Sequence, residues 1–275
     1  MSIFTLPLQG QALFGPRNTG NRHLSSSSST APPKYLAGFE IKKILGAGFF
    51  SSVYLAKSRV SNLYAAIKIA DPGEEKALKN EAKILSLVKG HPNIVEIYDY
   101  GNRAKVHYLI MEFIKGAALE EILVDGPLAF ARAVNIFRGC LQGLEYLHKQ
   151  GCVHGDVKTG NIMESEKGQA KLIDFGFAEK TADLSDQQAD IFSLGTSLID
   201  MLVRGKDLAS QKWSTFDNKS GKENPITMRL KHLPDTISGE ALSFIKRIAG
   251  VDRTRPFSSC REIQKALNDL TNCET

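Results

Sequence analysis

The chain has no long apolar run. Nothing in its 275 residues approaches the ~18 consecutive apolar residues of a membrane-crossing helix, so no span is expected. Cysteine is scarce, and Cys140, Cys152, Cys260 and Cys273 show no Cys-x-x-Cys spacing. That excludes a zinc site or a disulfide framework and reads as reduced thiols in a reducing compartment. Acidic residues are missing before Glu40, whereas Arg17, Arg22 and Lys34 fall in that stretch. Part of the formal net charge of +5 therefore belongs to the amino-terminal segment. The remainder is only mildly basic, and no nucleic-acid face is expected. Tryptophan occurs once, as Trp213, and is expected to be a packing residue.

What is present divides into a tail and a folded body. Ser25–Ser29 followed by Thr30-Ala31-Pro32-Pro33, with Gly10, Gly15, Pro16 and Gly20 upstream, cannot bury enough surface to offset chain entropy. Residues 1–35 are therefore expected to be a disordered tail. The stretch Ile3–Leu13 is broken by Pro7, Gln9, Gly10 and Gln11, so a secretory signal is not expected there. A cytoplasmic protein is expected. An acid-free, Ser- and Arg-containing start also fits an organelle transit peptide or a tail exported into a host cell.

The body is organised around His154-Gly155-Asp156-Val157-Lys158-Thr159-Gly160-Asn161 and Ile173-Asp174-Phe175-Gly176. The apolar pairs Cys152-Val153 and Leu172-Ile173 flank this polar turn, which reads as a hairpin-like unit. Asp156, Asn161 and Asp174 offer two carboxylates and an amide oxygen, a set that suits Mg2+ with part of its shell left for substrate phosphates. Lys158 lies between them, placed to neutralise a transferring phosphoryl group. Upstream, Phe39–Leu45 alternates as a strand and meets Gly46-Ala47-Gly48-Phe49-Phe50-Ser51-Ser52-Val53, a turn whose backbone can lie close over phosphates. Tyr64–Ala70 is the next strand and carries Lys68. Residues 74–89 read as a helix with Glu81 in its middle, and Val106–Phe113 reads as a buried strand running into a linker.

These motifs, in this order, resemble the eukaryotic-type Ser/Thr protein kinases. The resemblance covers about residues 36–270 and implies an α+β bilobal fold, with an N-lobe over 36–114 and a mainly helical C-lobe over 115–275. It implies ATP and Mg2+ as cofactors and a protein substrate. Asp156 would be the base, Lys158 would steady the phosphoryl group, and Asn161 and Asp174 would bind metal. Lys68, held by Glu81, would grip the nucleotide phosphates. Gly46, Gly48, Val53, Ala66, Met111, Glu112, Phe113, Ile114 and Met163 would line the nucleotide pocket, with Met111 as gatekeeper. His154 and Phe175 would stack with Leu85 to couple the lobes. Lys158 resembles the Ser/Thr-specific branch, and Phe177 hints at serine over threonine. Nothing implies a nucleic-acid or membrane partner, and the oligomeric state is left open.

Several departures stand beside the resemblance. Ser51 replaces the third glycine of the Gly-rich turn. Gly155 replaces the Arg that commonly precedes the catalytic Asp and meets an activation-loop phosphate. Only residues 177–189 separate Gly176 from Asp190-Ile191-Phe192, which resembles the start of the family's helix F, and no Ala-Pro-Glu occurs. These losses agree with a loop too short to switch, and the expectation is activity without activation-loop phosphorylation. The trimming is similar to compact effector kinases that some bacteria deliver into host cells. Substrate docking would then fall to Ala209–Pro225 or to the tail. Ala117–Val124 and Pro127–Gln150 read as helices, and two more are expected over 239–269 with Leu242, Ile245 and Ile248 inward. Arg255 has lost the acid it would meet in the family and is expected to find another acceptor. Two rival readings remain: a small-molecule kinase of the aminoglycoside or choline kinase type, and a nucleotide-binding scaffold acting by docking.

Overall fold

The computed structural model describes residues 32–48, 50–181, 183–203, 225–252 and 257–273. The expectations for the tail before residue 32, for Trp213 and for Arg255 lie outside those residues. The amino-terminal part is one antiparallel sheet. Its strands are β1 (Tyr35–Leu36), β2 (Phe39–Ala47), β3 (Ser51–Ser58), β4 (Tyr64–Ala70), β5 (Ile97–Arg103) and β6 (Val106–Glu112), in the order β1-β2-β3-β4-β6-β5. Alternation does the sorting here. In β4, Ala65 and Ile67 turn into a small cluster with Leu36, Ala56, Tyr108 and Ile110, while Ala66 and Lys68 face the opposite side.

The helix α1 (Glu75–Leu87) packs on that opposite side. Its buried stripe of Leu78, Ala82 and Leu85 follows helical spacing and also carries Glu81 inward. The turn after it stitches the sheet to the rest of the chain. The Val95 N–H donates to the Leu172 carbonyl at 2.9 Å, the Leu172 N–H donates to Asn93 O at 2.9 Å, and the buried Asn93 amide donates to Ala170 O at 2.8 Å.

The carboxy-terminal part is mainly helical, with α2 (Leu119–Ile122), α3 (Phe130–Lys149), α4 (Leu184–Val203), α5 (Pro225–Leu230), α6 (Gly239–Ile248) and α7 (Cys260–Cys273). In α3, Val134, Phe137, Leu141 and Leu144 lie on the buried face as expected. The Ser238 hydroxyl caps α6 by accepting from Ala241 N at 3.2 Å. In α6 the buried positions are Ala241, Phe244, Ile245 and Ile248, whereas Leu242 is only half-buried. One continuous core joins α1, α3, α4, α6 and α7 to the strands below the cleft.

Three local expectations are corrected. The helix expected over 117–124 begins only at Leu119, because Gly116–Ala118 forms β7 and pairs with β9 (Ile162–Ser165). The Cys152-Val153 pair does not form a hairpin with Leu172-Ile173. Instead β9 turns back into β10 (Ala170–Leu172), while β8 (Cys152–Val153) pairs with β11 (Glu179–Lys180). Finally, Asp190 does not start its helix. The helix α4 begins at Leu184 and places Asp190 well inside it, 2% exposed.

Candidate active site

Lys68 enters the cleft from β4 and is 7% exposed. Its Nζ donates to Glu81 Oε2 at 2.6 Å and to Asp174 Oδ1 at 2.8 Å. A strand, a helix and the turn after β10 thus meet at one ammonium. Burial alone would push the Lys68 pKa down, but the two carboxylates outweigh it and hold the ammonium above the ordinary lysine range. Glu81 lies deepest, where burial pushes its carboxyl up. Asp174 is the more solvent-exposed partner, its side chain 22% exposed against 2% for Glu81. Asp174 also sits at φ +59°, a strained conformation for a residue with a side chain, which aims the carboxylate at Lys68.

On the other wall, Lys158 Nζ donates to Asp156 Oδ2 at 2.5 Å. The Asn161 Nδ2 donates to Asp156 O and to Asp156 Oδ2, both at 2.8 Å. This fixes the amide so that its carbonyl oxygen turns away from Asp156. The loop bearing these residues is held from behind. The Asp190 carboxylate accepts from the His154 and Gly155 backbone N–H groups at 2.8 and 2.9 Å and bonds His148 Nε2 at 2.9 Å. The His154 ring is buried and lies 4.6 Å from the Phe175 ring. Burial pushes its pKa below the ordinary imidazole value, against the pull of Asp190. The neutral ring donates through Nε2 to Ile173 O at 3.1 Å and accepts the Asp156 N–H at Nδ1, 3.3 Å away. Leu85 is buried in the same core as Phe175.

Between these walls lies a cavity of about 370 Å³. Its apolar lining comes from Leu45, Val53, Ala66, Val95, Met111, Ile114, Met163 and Ile173. Gly46, Gly48, Glu112 and Phe113 complete the rim, while Lys68, Glu81, Lys158, Asn161 and Asp174 form the polar end. Every residue expected at the nucleotide pocket therefore lines one cavity. The Glu112 backbone N–H donates to Glu96 O at 2.9 Å, and its carboxylate takes Lys171 Nζ at 2.6 Å. Those two groups are committed to the fold. Leu45, Val95, Ile173 and Glu120 also line the cavity and were not anticipated. Leu45 carried a signal, since it directly precedes the glycines. Val95 and Ile173 look like any other core residue in the sequence.

The donor set fits a hard divalent cation. Asp174 and Asn161 bring oxygen atoms, and three carboxylates share two ammonium groups around the cavity. Among the described residues no cluster of three or more His, Cys, Asp or Glu could hold a metal by itself. A cation here would complete its shell with substrate oxygens and water.

The remaining loop is short. Gly155 sits at φ +74°, and a Cβ there would come within 2.7 Å of the Phe177 carbonyl oxygen. The chain after Gly176 thus occupies the space a side chain at 155 would need. It is tied down at once by Asn80 Nδ2 donating to Ala178 O at 2.8 Å, by the β8–β11 pair, and by Thr181 N donating to Gly151 O at 3.0 Å.

A two-lobed fold with a lysine bridged to a helix glutamate and a turn aspartate, facing an Asp–Lys–Asn loop across a nucleotide-sized cavity, defines a phosphotransferase class of site. The match to known proteins is specific within that class: residues 39–188 fit the protein kinase domain, and the chain belongs to that family. It is 29% identical to the serine/threonine-protein kinase PknB of Mycobacterium leprae over 74% of this chain and 38% of the relative. It is likewise 29% identical to the serine/threonine-protein kinase PrkC of Bacillus subtilis, over 71% of this chain and 33% of the relative. The chain therefore spans about a third of the length of these curated relatives. No helix among the described residues is long and apolar enough to cross a membrane.

Proposed function

We propose that this chain is an ATP- and Mg2+-dependent protein serine/threonine kinase whose activity does not depend on phosphorylation of its activation segment. The observation that carries the reading is the Lys68 ammonium bridged to Glu81 and Asp174 on the wall opposite Asp156, Lys158 and Asn161. In this reading the adenine enters the apolar end of the cavity, between Val53 and Ala66 above and Met163 below. Lys68 grips the nucleotide phosphates. Asn161 and Asp174 hold the metal, which when bound neutralises phosphate charge. Asp156 orients the acceptor hydroxyl and takes its proton as the oxygen bonds to the γ-phosphorus. The bond from that phosphorus to the bridging oxygen breaks, and ADP leaves with the electron pair. Lys158 steadies the charge on the phosphoryl oxygens.

The regulatory part of the proposal rests on the loop. An arginine at 155 would have no room, and Phe177–Thr181 is already fastened to α1 and β8. No charge needs to be added to order it. Serine is the preferred acceptor in this reading, through Phe177. The same brevity supports a second reading, phosphorylation of a small molecule, because it leaves little of a peptide platform beside Asp156.

Radiolabelled ATP offered with a generic protein acceptor, with small amines and with sugars separates the readings. Label on serine of the protein acceptor, abolished by Asp156→Asn while ATP still binds, is the expected result. Label on small molecules alone, or nucleotide binding without transfer, would overturn it.

A further inference from the structure

The outer end of the amino-terminal sheet carries a feature that phosphoryl transfer does not use. Tyr35, Glu40, Lys57 and Tyr64 are successive cross-strand neighbours on β1, β2, β3 and β4, so they form one row on one face. The row is cationic and aromatic. Arg59 and Lys34 lie over the Tyr35 ring, 4.8 and 5.3 Å from its centroid, and Lys57 lies 5.7 Å from that of Tyr64. The one acid, Glu40, is taken by Lys42 at 2.7 Å. Lys34, Lys42, Lys57 and Arg59 surround this single carboxylate, so the row keeps a net positive charge.

Beyond the row, the turn between β3 and β4 projects apolar side chains into water. Val60 is 96% exposed and Leu63 45% exposed. The turn is nevertheless built, not loose. Ser58 N donates to Leu63 O at 2.8 Å, and Arg59 N donates to Gly38 O at 3.0 Å. The Ser58 and Ser61 hydroxyls accept from Val60 N and Leu63 N, both at 3.3 Å. Four backbone donors of the turn are thus met within the fold, which lowers the cost of entering an apolar phase.

We propose that this hairpin is a membrane-docking tip that rests on an anionic lipid surface. Val60 and Leu63 would enter the acyl boundary, Tyr35 and Tyr64 would sit at headgroup depth, and Lys34, Lys57 and Arg59 would meet lipid phosphates. The arrangement favours a bilayer over other polyanions. A nucleic acid would use the cations but leave Val60 and Leu63 in water, and a protein surface would need a flat apolar area, not a projecting point. The proposal departs from the sequence expectation of no membrane partner, and it stands independently of the kinase reading.

The test is co-sedimentation of the full chain with phosphatidylcholine vesicles with and without phosphatidylserine. Binding is expected only with phosphatidylserine and should weaken as salt is raised. Val60→Asp with Leu63→Asp should cut the bound fraction by about fivefold or more, and Val60→Trp should raise it. Because both residues project from the fold, melting temperature and ATP affinity should stay unchanged. No binding by the wild type overturns the proposal, as does binding that survives Val60→Asp with Leu63→Asp, which would assign it to another basic segment. Loss of a dimer or of RNA binding, in place of vesicle binding, on those substitutions also overturns it.

Discussion

The two sides of the cleft have been treated differently. The side proposed for the nucleotide brings Gly46, Gly48, Lys68, Glu81 and Asp174 together around one cavity. The acceptor side is pared down. Its segment runs from Phe177 into a helix that begins at Leu184, and Gly155 stands where the family commonly has an arginine. Phosphate and metal demand fixed geometry, because electrostatic stabilisation weakens quickly when donors move. A regulatory loop can be dispensed with if something else orders the same backbone. Here the loop is held by close packing on Gly155 and by neutral hydrogen bonds.

The largest effect should come from breaking the nucleotide side. Lys68→Ala removes the ammonium shared by Glu81 and Asp174 and leaves two carboxylates facing each other. Transfer should fall by about a hundredfold or more, measured by label incorporation at saturating ATP. Stability should also drop by about 3–5 kcal/mol, the range for removing one partner of a buried ion pair. A variant that keeps its rate would separate this cluster from the chemistry. Next comes the acceptor side. Gly155→Arg restores the residue common in the family, yet it forces a side chain into φ +74° against the Phe177 carbonyl. It should destabilise by about 1–3 kcal/mol in urea unfolding and lower the transfer rate. Improved activity on phosphorylation of that variant would mean the loop could still be switched.

The two sides were also unequally legible in the sequence. Chemistry-bearing residues at fixed spacing, such as Asp156, Asn161 and Asp174, announce themselves because few other roles demand that order. Residues that act by packing do not. Val95 and Ile173 line the cavity with side chains no different from their core neighbours. The β8–β11 pair could not be read, because two-residue strands carry no periodicity. Gly155 was legible as a missing arginine, but its positive φ and its contact with Phe177 depend on a loop folded against it from a distant stretch. Asn80 is a solvent-facing helix position by pattern, and only the fold brings Ala178 to it. The helix over 117–124 was overextended because Gly116–Ala118 is recruited by β9, a tertiary demand that local propensity does not register.

Acid should sharpen the comparison more gently. The folded-state pKa of His154 lies below the unfolded value of ~6.5. The folded protein therefore binds fewer protons at this site than the unfolded chain. Its contribution to stability is complete above the unfolded value and is lost as pH falls through the folded one. Protonation would also give Nδ1 a hydrogen where it accepts the Asp156 N–H, loosening the catalytic loop before the nucleotide wall. Melting temperature should decline on acidification below neutrality, and His154→Gln should flatten that part of the profile. An unchanged slope in the variant would assign the acid sensitivity to the carboxylates instead.

The smallest effect is expected at Thr181, a hydroxyl in the shortened segment. Its Oγ1 donates to Asp186 Oδ2 at 2.7 Å and accepts from Asp183 N at 3.0 Å. A phosphate there would face the Asp186 carboxylate, so the position is a poor receptor for added negative charge. Thr181→Val loses one local hydrogen-bond pair and should cost about 1 kcal/mol of stability, read from a denaturant midpoint. Its transfer rate should match the wild type within about twofold, a difference that corresponds to less than one local hydrogen bond. Phosphatase treatment of the wild type should leave the rate equally unchanged. A rate that collapses on either treatment would show that the acceptor side still depends on a modified residue, and the contrast between a fixed nucleotide wall and a self-fastened loop would fail.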